Sequence, residues 1–237
     1  MNKRLFGAAI LGLGLVLGSA QMANATTWNL SAVTSTGNPL GNVKSFSSGG
    51  QVLDVTGWSS NAGGNFSKAA VNEYSGLGLG VCNGFEFPTC SSPNHAVDNS
   101  GSIDFILLMF DADMTIASFD VSSFGYDTDV TYYVGHSNAF TTGTWDISSL
   151  SPSTFGFTAY GSSGGSYDRT VNVNKIGNFI LIAAATPNPD YNTDYFKLDS
   201  ITATICNVVP EPATWSLMIL SFAVMASRYR RRQSAKA

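Results

Sequence analysis

Ile103-Asp104-Phe105-Ile106-Leu107-Leu108-Met109-Phe110 is the stretch on which the fold turns. Side chains alternate along a strand, so Ile103, Phe105, Leu107 and Met109 share one face and Ile106, Leu108 and Phe110 the other. A strand that is apolar on both faces belongs mid-sheet, with each face covered. The reading therefore places this segment at the centre of the core.

Working outward, short alternating runs recur, each closed by Gly, Asn or Asp. They predict strands near residues 28–32, 51–58, 69–74, 102–110, 115–122, 130–135, 155–160, 167–173, 179–184 and 195–205. Gly, Ser, Thr, Asn and aromatics dominate, and the Ala-Glu-Lys-Leu composition of helices is missing. The expected fold is all-β, a single β-sandwich of jelly-roll-like kind over residues 26–207. Gly41–Ser48 and Gly161–Ser166 read as exposed Gly/Ser-rich loops. No internal repeat is found.

The two ends read differently. Lys3 and Arg4 precede an apolar run from Leu5 to Gly18, and Ala23-Asn24-Ala25 offers small residues to signal peptidase. Residues 1–25 are thus expected to be a signal helix cut after Ala25. Residues 208–237 hold Pro210-Glu211-Pro212, an apolar segment from Trp215 to Ala226, then Arg228, Arg230, Arg231 and Arg232. The prolines keep the tripeptide extended and open to an enzyme. Residues 213–227 would make a transmembrane-type helix of about 22 Å, short of the ~20 residues of an ordinary span. The arginines would stay cytoplasmic by the positive-inside rule.

Pro210, Glu211, Pro212, Trp215, the Leu217-Met218-Ile219 run and the Arg228–Arg232 cluster together resemble the PEP-CTERM sorting signal that exosortases recognise in Gram-negative bacteria. The resemblance implies export across the inner membrane, a transient membrane hold, cleavage near Pro-Glu-Pro and release to the cell surface or outside. It suggests a non-enzymatic matrix protein associated with exopolysaccharide in a biofilm. A plain C-terminal anchor, a carbohydrate-binding module and a secreted hydrolase are the rival readings.

Residues 26–212 keep five basic residues (Lys44, Lys68, Arg169, Lys175, Lys197) against all sixteen acids, a net charge of −11. That balance sets nucleic acid aside as a partner. Gly76-Leu77-Gly78-Leu79-Gly80 lacks the Gly-Lys-Ser/Thr of a phosphate loop and reads as strand or bend glycines beside a bulky neighbour. His95 and His136 meet no Gly-x-Ser-x-Gly elbow. His95, beside Asp98, is expected to order its own loop.

Glu73 and Glu86 are the glutamates of the body, and no local signature selects a carboxylate pair for hydrolysis. Asp98 with Asn99, Asp111 with Asp113, and Asp127 with Asp129 are hard oxygen donors in predicted loops, the ligand class of Ca²⁺, and equally ordinary turn formers. Trp58, beside Ser59, Ser60 and Asn61, is the candidate for stacking on a sugar.

Cys82 and Cys90 enclose seven residues and are favoured as a disulfide, with Cys206 an alternative partner for either. Peptide mapping without reduction should recover Cys82 linked to Cys90, and losing the bond should cost about 2–4 kcal/mol. Free thiols at both positions in secreted material would overturn the pairing.

Overall fold

The computed structural model describes residues 24–32, 41–61, 64–84, 86, 95–123, 127–137, 146–155, 158–160 (backbone only), 167–188, 190–206 and 219–225. The chain divides into a body, Ala23–Cys206, and a separate unit of the terminal stretches Met1–Met22 and Asn207–Ala237. In the second unit, residues 219–225 are helical and exposed. Among the described residues no helix is long and apolar enough to cross a membrane. The expected signal helix, Ala23 and the tail residues Pro210, Glu211, Pro212, Trp215, Arg228, Arg230, Arg231 and Arg232 lie outside the described residues. Ala25 opens the first strand, where it pairs with Thr204.

The body is all-β and sandwich-like. Its strands are β1 (Ala25–Asn29), β2 (Val43–Ser48), β3 (Gln51–Ser60), β4 (Ser67–Tyr74), β5 (Gly78–Cys82), β6 (Val97–Asp98), β7 (Ile103–Ser123), β8 (Val130–Gly135), β9 (Thr158–Tyr160), β10 (Arg169–Ala184) and β11 (Tyr195–Ile205). Hydrogen bonds join them into one sheet, running β1-β11-β5-β4-β3-β7-β10-β8-β9, with β2 on β3 and β6 on β11. Because β7 also pairs with β11, the path β11-β5-β4-β3-β7 closes on itself in the manner of a barrel.

β7 makes the closure possible. Its first half pairs with β3 (Phe105 opposite Trp58, Leu108 opposite Val55) and its second half with β11 (Phe119 opposite Ile201). β10 lines the other side of both halves, but Met109 faces Phe179 while Met114 faces Gly177. Residues 110–113 therefore stand opposite a single residue, a bulge that bends the strand from one partner to the next. Sequence reading expected two strands with Asp111 and Asp113 in a loop between them. They sit instead on one 21-residue strand, exposed at its bend.

The two faces of β7 feed two cores, as the alternation of apolar residues implies. Ile106, Leu108 and Phe110 join Trp28, Leu53, Val71, Phe119, Phe196 and Ile201 inside the closed path. Phe105, Leu107 and Met109 pack outward with Trp58, Phe66, Ile147, Phe179 and Leu181. A segment spanning Asp146 to Phe155, with a 3₁₀ turn at Pro152–Thr154, covers this second core through Ile147, Leu150 and Phe155. Phe66 donates its amide to Leu150 (2.9 Å), and Lys68 pairs with Asp146 (3.0 Å) across the exposed rim.

Of the two expected loops, one is corrected. Val43–Ser48, taken with Gly41 and Asn42 as a loop, is a strand in full register with β3 (Phe46 opposite Leu53). Its small polar residues face outward while Lys44 and Phe46 are buried. Gly161–Ser166 lies outside the described residues.

The glycine run is strand and turn, and its spacing has a packing cause. Gly78 has φ +101, and a Cβ there would collide with the backbone of Leu198 and Asp199; at Gly80 it would collide with the His95 carbonyl and stand 3.2 Å from the Tyr74 ring. Both glycines let neighbouring backbone lie directly on β5. Gly80→Ala should destabilise the body by about 1–3 kcal/mol in chemical denaturation, because the obstacle is backbone. Gly84→Ala, with open space around it, should change stability by less than about 0.5 kcal/mol. Equal effects at both positions would contradict this packing account.

Candidate functional site

The chemistry of the body gathers where β5, β6, β7 and β11 meet. β5 leaves Cys82 into a turn in which Glu86 N–H donates to the Asn83 carbonyl (3.1 Å) and Asn83 N–H to Glu86 Oε2 (2.9 Å). The chain returns at His95, whose Nδ1 lies 3.3 Å from Glu86 Oε1. Val81 N–H bonds to the Ala96 carbonyl (3.2 Å), and β6 then adds to β11. This brings Asp98 against the start of β7, where Asp104 occupies the same face as Ile106 and Leu108.

Asp98, Asp104 and Asn83 are all buried, with Asp104 fully so. Asp98 Oδ1 accepts Ser100 N–H (2.8 Å), and Asp104 Oδ1 accepts Asn83 Nδ2 (3.0 Å). Burial pushes the Asp98 carboxyl up to about 7, with Glu86 raising it further and His95 and the Ser100 amide drawing it down. Burial likewise holds Asp104 well above the usual carboxylate range, reinforced by Asp98 and Glu86. One carboxylate oxygen from each of Glu86, Asp98 and Asp104 lies within 4.8 Å of the other two. Like charges this close in a dry setting need protons or a cation between them.

Lys197, fully buried on β11, is the neighbouring cation. Its Nζ donates to the His95 carbonyl and stands 3.8 Å from the centre of the Tyr74 ring, an ammonium–π contact. Burial lowers its amine to about 7. The lysine and the missing side chain at Gly80 act on one group: Gly80 makes room for the His95 carbonyl, and Lys197 binds it.

A second acidic group adjoins the first through the dipeptide Asp98-Asn99. Asn99 Nδ2 donates to Asp194 Oδ2 (2.6 Å), and Asp194 N–H donates back to Asn99 Oδ1 (3.0 Å). Asp194 Oδ1 accepts Asp129 N–H (3.1 Å), and Asp127 bridges to Asp194 in parallel. Carboxylate oxygens of Asp127, Asp129 and Asp190 also come within 4.8 Å of one another. Asp190 is exposed, and the Asn192 amides hold its carboxyl below the usual range.

The expected calcium residues are thus divided. Asp98 joins Glu86 and Asp104; Asn99 joins Asp194; Asp127 and Asp129 join Asp190. Asp111 is exposed, and Asp113 pairs with exposed His136 at 3.1 Å, away from any acidic group of this kind. Asp104, Asp190, Asp194 and Lys197 escaped sequence reasoning, and Glu86 was weighed there only for a hydrolytic carboxylate pair that nothing selected. For Asp104 a signal existed, since a carboxylate inside the most apolar strand must be buried or must bend the strand.

The expected sugar-stacking Trp58 is corrected: it is fully buried, its Nε1 bonded to Thr56 Oγ1 (2.8 Å) beneath the Asp146–Phe155 cover. Its polar neighbours Ser59 and Ser60 are buried with it, because this end of β3 lies between β4 and β7. The ring has no face left for a ligand. No disulfide joins two described cysteines: Cys82 is a buried half-cystine, Cys206 is free, and Cys90 lies outside the described residues.

Comparison of the chain with protein-family models, with curated proteins and with solved structures gives no match.

Asp194 supplies a pH test. Burial first, then the Asp129 carboxylate, raises its carboxyl from 3.8 to about 7, so the folded state holds this proton more tightly than the unfolded chain. Its contribution to stability should be complete below about pH 4 and lost as pH rises through about 7. Carboxyl-carbon NMR should place the Asp194 midpoint near 7, and Asp194→Asn should remove that part of the stability–pH slope. A midpoint near 4 would contradict the assignment.

Proposed function

We propose that this is an exported, exosortase-processed protein of the extracellular matrix or cell surface, non-enzymatic, with a jelly-roll-like body that works beside exopolysaccharide. The observation that carries the reading is the ordered tail: Pro210-Glu211-Pro212, a short apolar segment, then Arg228, Arg230, Arg231 and Arg232, at the far end of a chain that begins with a signal-peptide pattern.

The architecture of the body is compatible with losing both ends. β11 stops at Ile205, and Cys206 N–H is tied back to the Asp113 carbonyl (2.9 Å), so every described strand lies before residue 207. Cutting after Ala25 removes only the first, exposed rung of β1. Signal peptidase and exosortase are the processing partners, the inner membrane is a transient one, and extracellular polysaccharide is the final one.

Intact mass decides the matter. Material recovered outside the cell should lack residues 228–237. Cells without the exosortase, or chains with Pro210, Glu211 and Pro212 replaced by alanine, should keep a longer membrane-bound form. Released wild-type protein that still carries Arg228–Ala237 would leave a plain anchor as the reading.

A further inference from the structure

The proposed sorting and matrix roles leave the grouping of Glu86, Asp98 and Asp104 unused, and its chemistry asks for something more. Buried carboxylates are ordinarily paired with a cation or fully hydrogen-bonded. Asp104 Oδ2 is neither: its side chain has no exposure, and this oxygen has no hydrogen-bond partner. Among the described residues no lysine or arginine forms an ion pair with Asp98 or Asp104. The buried amine nearby, Lys197, is turned to the His95 carbonyl and the Tyr74 ring instead.

Geometry and donor type narrow the missing partner. The three carboxylate oxygens lie within 4.8 Å of one another. Ca²⁺ accepts flexible cages built from protein carboxylates, whereas Mg²⁺ demands near-ideal octahedral geometry and keeps several of its waters, so a buried set of protein carboxylates suits calcium better. The donors of this group are hard oxygens, and the adjacent sulfur of Cys82 is held in a disulfide with no thiolate to offer, which removes zinc's sulfur ligand.

We propose that Glu86, Asp98 and Asp104 bind one hard divalent cation, Ca²⁺ in preference to Mg²⁺. The ion ties the turn after β5, the end of β6 and the start of β7 into one unit. The neighbouring Asp127, Asp129 and Asp190 do not make the same case: Asp190 is exposed and satisfied by Asn192, and no buried carboxylate oxygen there lacks a partner.

The test uses the full chain in mild detergent, stripped with EDTA, dialysed, and titrated with CaCl₂ by calorimetry and thermal melting. Wild type should bind one Ca²⁺ per chain in this pocket. Its Tm should rise by several degrees once CaCl₂ exceeds Kd about a hundredfold, with a weaker response to MgCl₂. Asp104→Asn keeps the shape and removes the charge, so it should fold without calcium at least as stably as wild type and bind Ca²⁺ at least ~10-fold more weakly. Glu86→Gln, on a partly exposed side chain, should show the same loss and serves as the deciding variant if Asp104→Asn fails to fold. Asp129→Asn should leave this binding unchanged. The proposal is overturned by a wild type that gives neither heat nor a Tm change, by binding that survives both Asp104→Asn and Glu86→Gln, or by binding lost only in Asp129→Asn.

Discussion

The constraint on which everything else depends is that β7 must cover two apolar faces at once. A half-buried strand could sit at an edge; one carrying Phe105, Leu107 and Met109 on one side and Ile106, Leu108 and Phe110 on the other requires a layer above and a layer below. The closed path of strands supplies one layer, and the Asp146–Phe155 segment supplies the other. Because β7 is also bent at residues 110–113, the same strand closes that path by changing partner from β3 to β11. Burial thus dictates the position of β7, and its bulge dictates the topology.

Much of this was legible in the chain. The two-faced apolar run, the alternation in β3 and β11 and the turn-rich composition all point to a β-sandwich core. What was not legible depends on pairings between distant segments. β2 looks like a loop because Ser45, Ser47 and Ser48 are small and polar, yet its register with β3 buries Phe46. Trp58 looks exposed because polar residues follow it, yet the cover that buries it lies about ninety residues later in the chain. Local composition reports on one face of a strand and is silent about what is laid over it.

The acidic pocket shows the same division. Asp98 was selected for its type and its loop, a local property. Glu86 and Asp104 reach it only because glycine at position 80 lets the His95 segment lie on β5, which then sets β6 against the start of β7. Three carboxylates spread over residues 86–104 become neighbours through backbone contact rather than through a motif, so no spacing rule could have joined them. Lys197 strengthens this arrangement from β11 by gripping the same carbonyl that Gly80 admits.

The pairing of β1 with β11 has a consequence for the order of events as the chain is made. Ala25 finds its ladder partner in Thr204, and Asn29 in Ser200, so the first strand waits for the last. β11 also joins β5, β6 and β7, and until it arrives the path of strands stays open with its edges unpaired. A chain delivered from its N-terminus, from a ribosome or through a translocation channel, therefore cannot complete this fold until nearly all of the body has emerged. Such long-range closure makes folding slow. It also keeps the polypeptide extended for as long as its last strand is withheld.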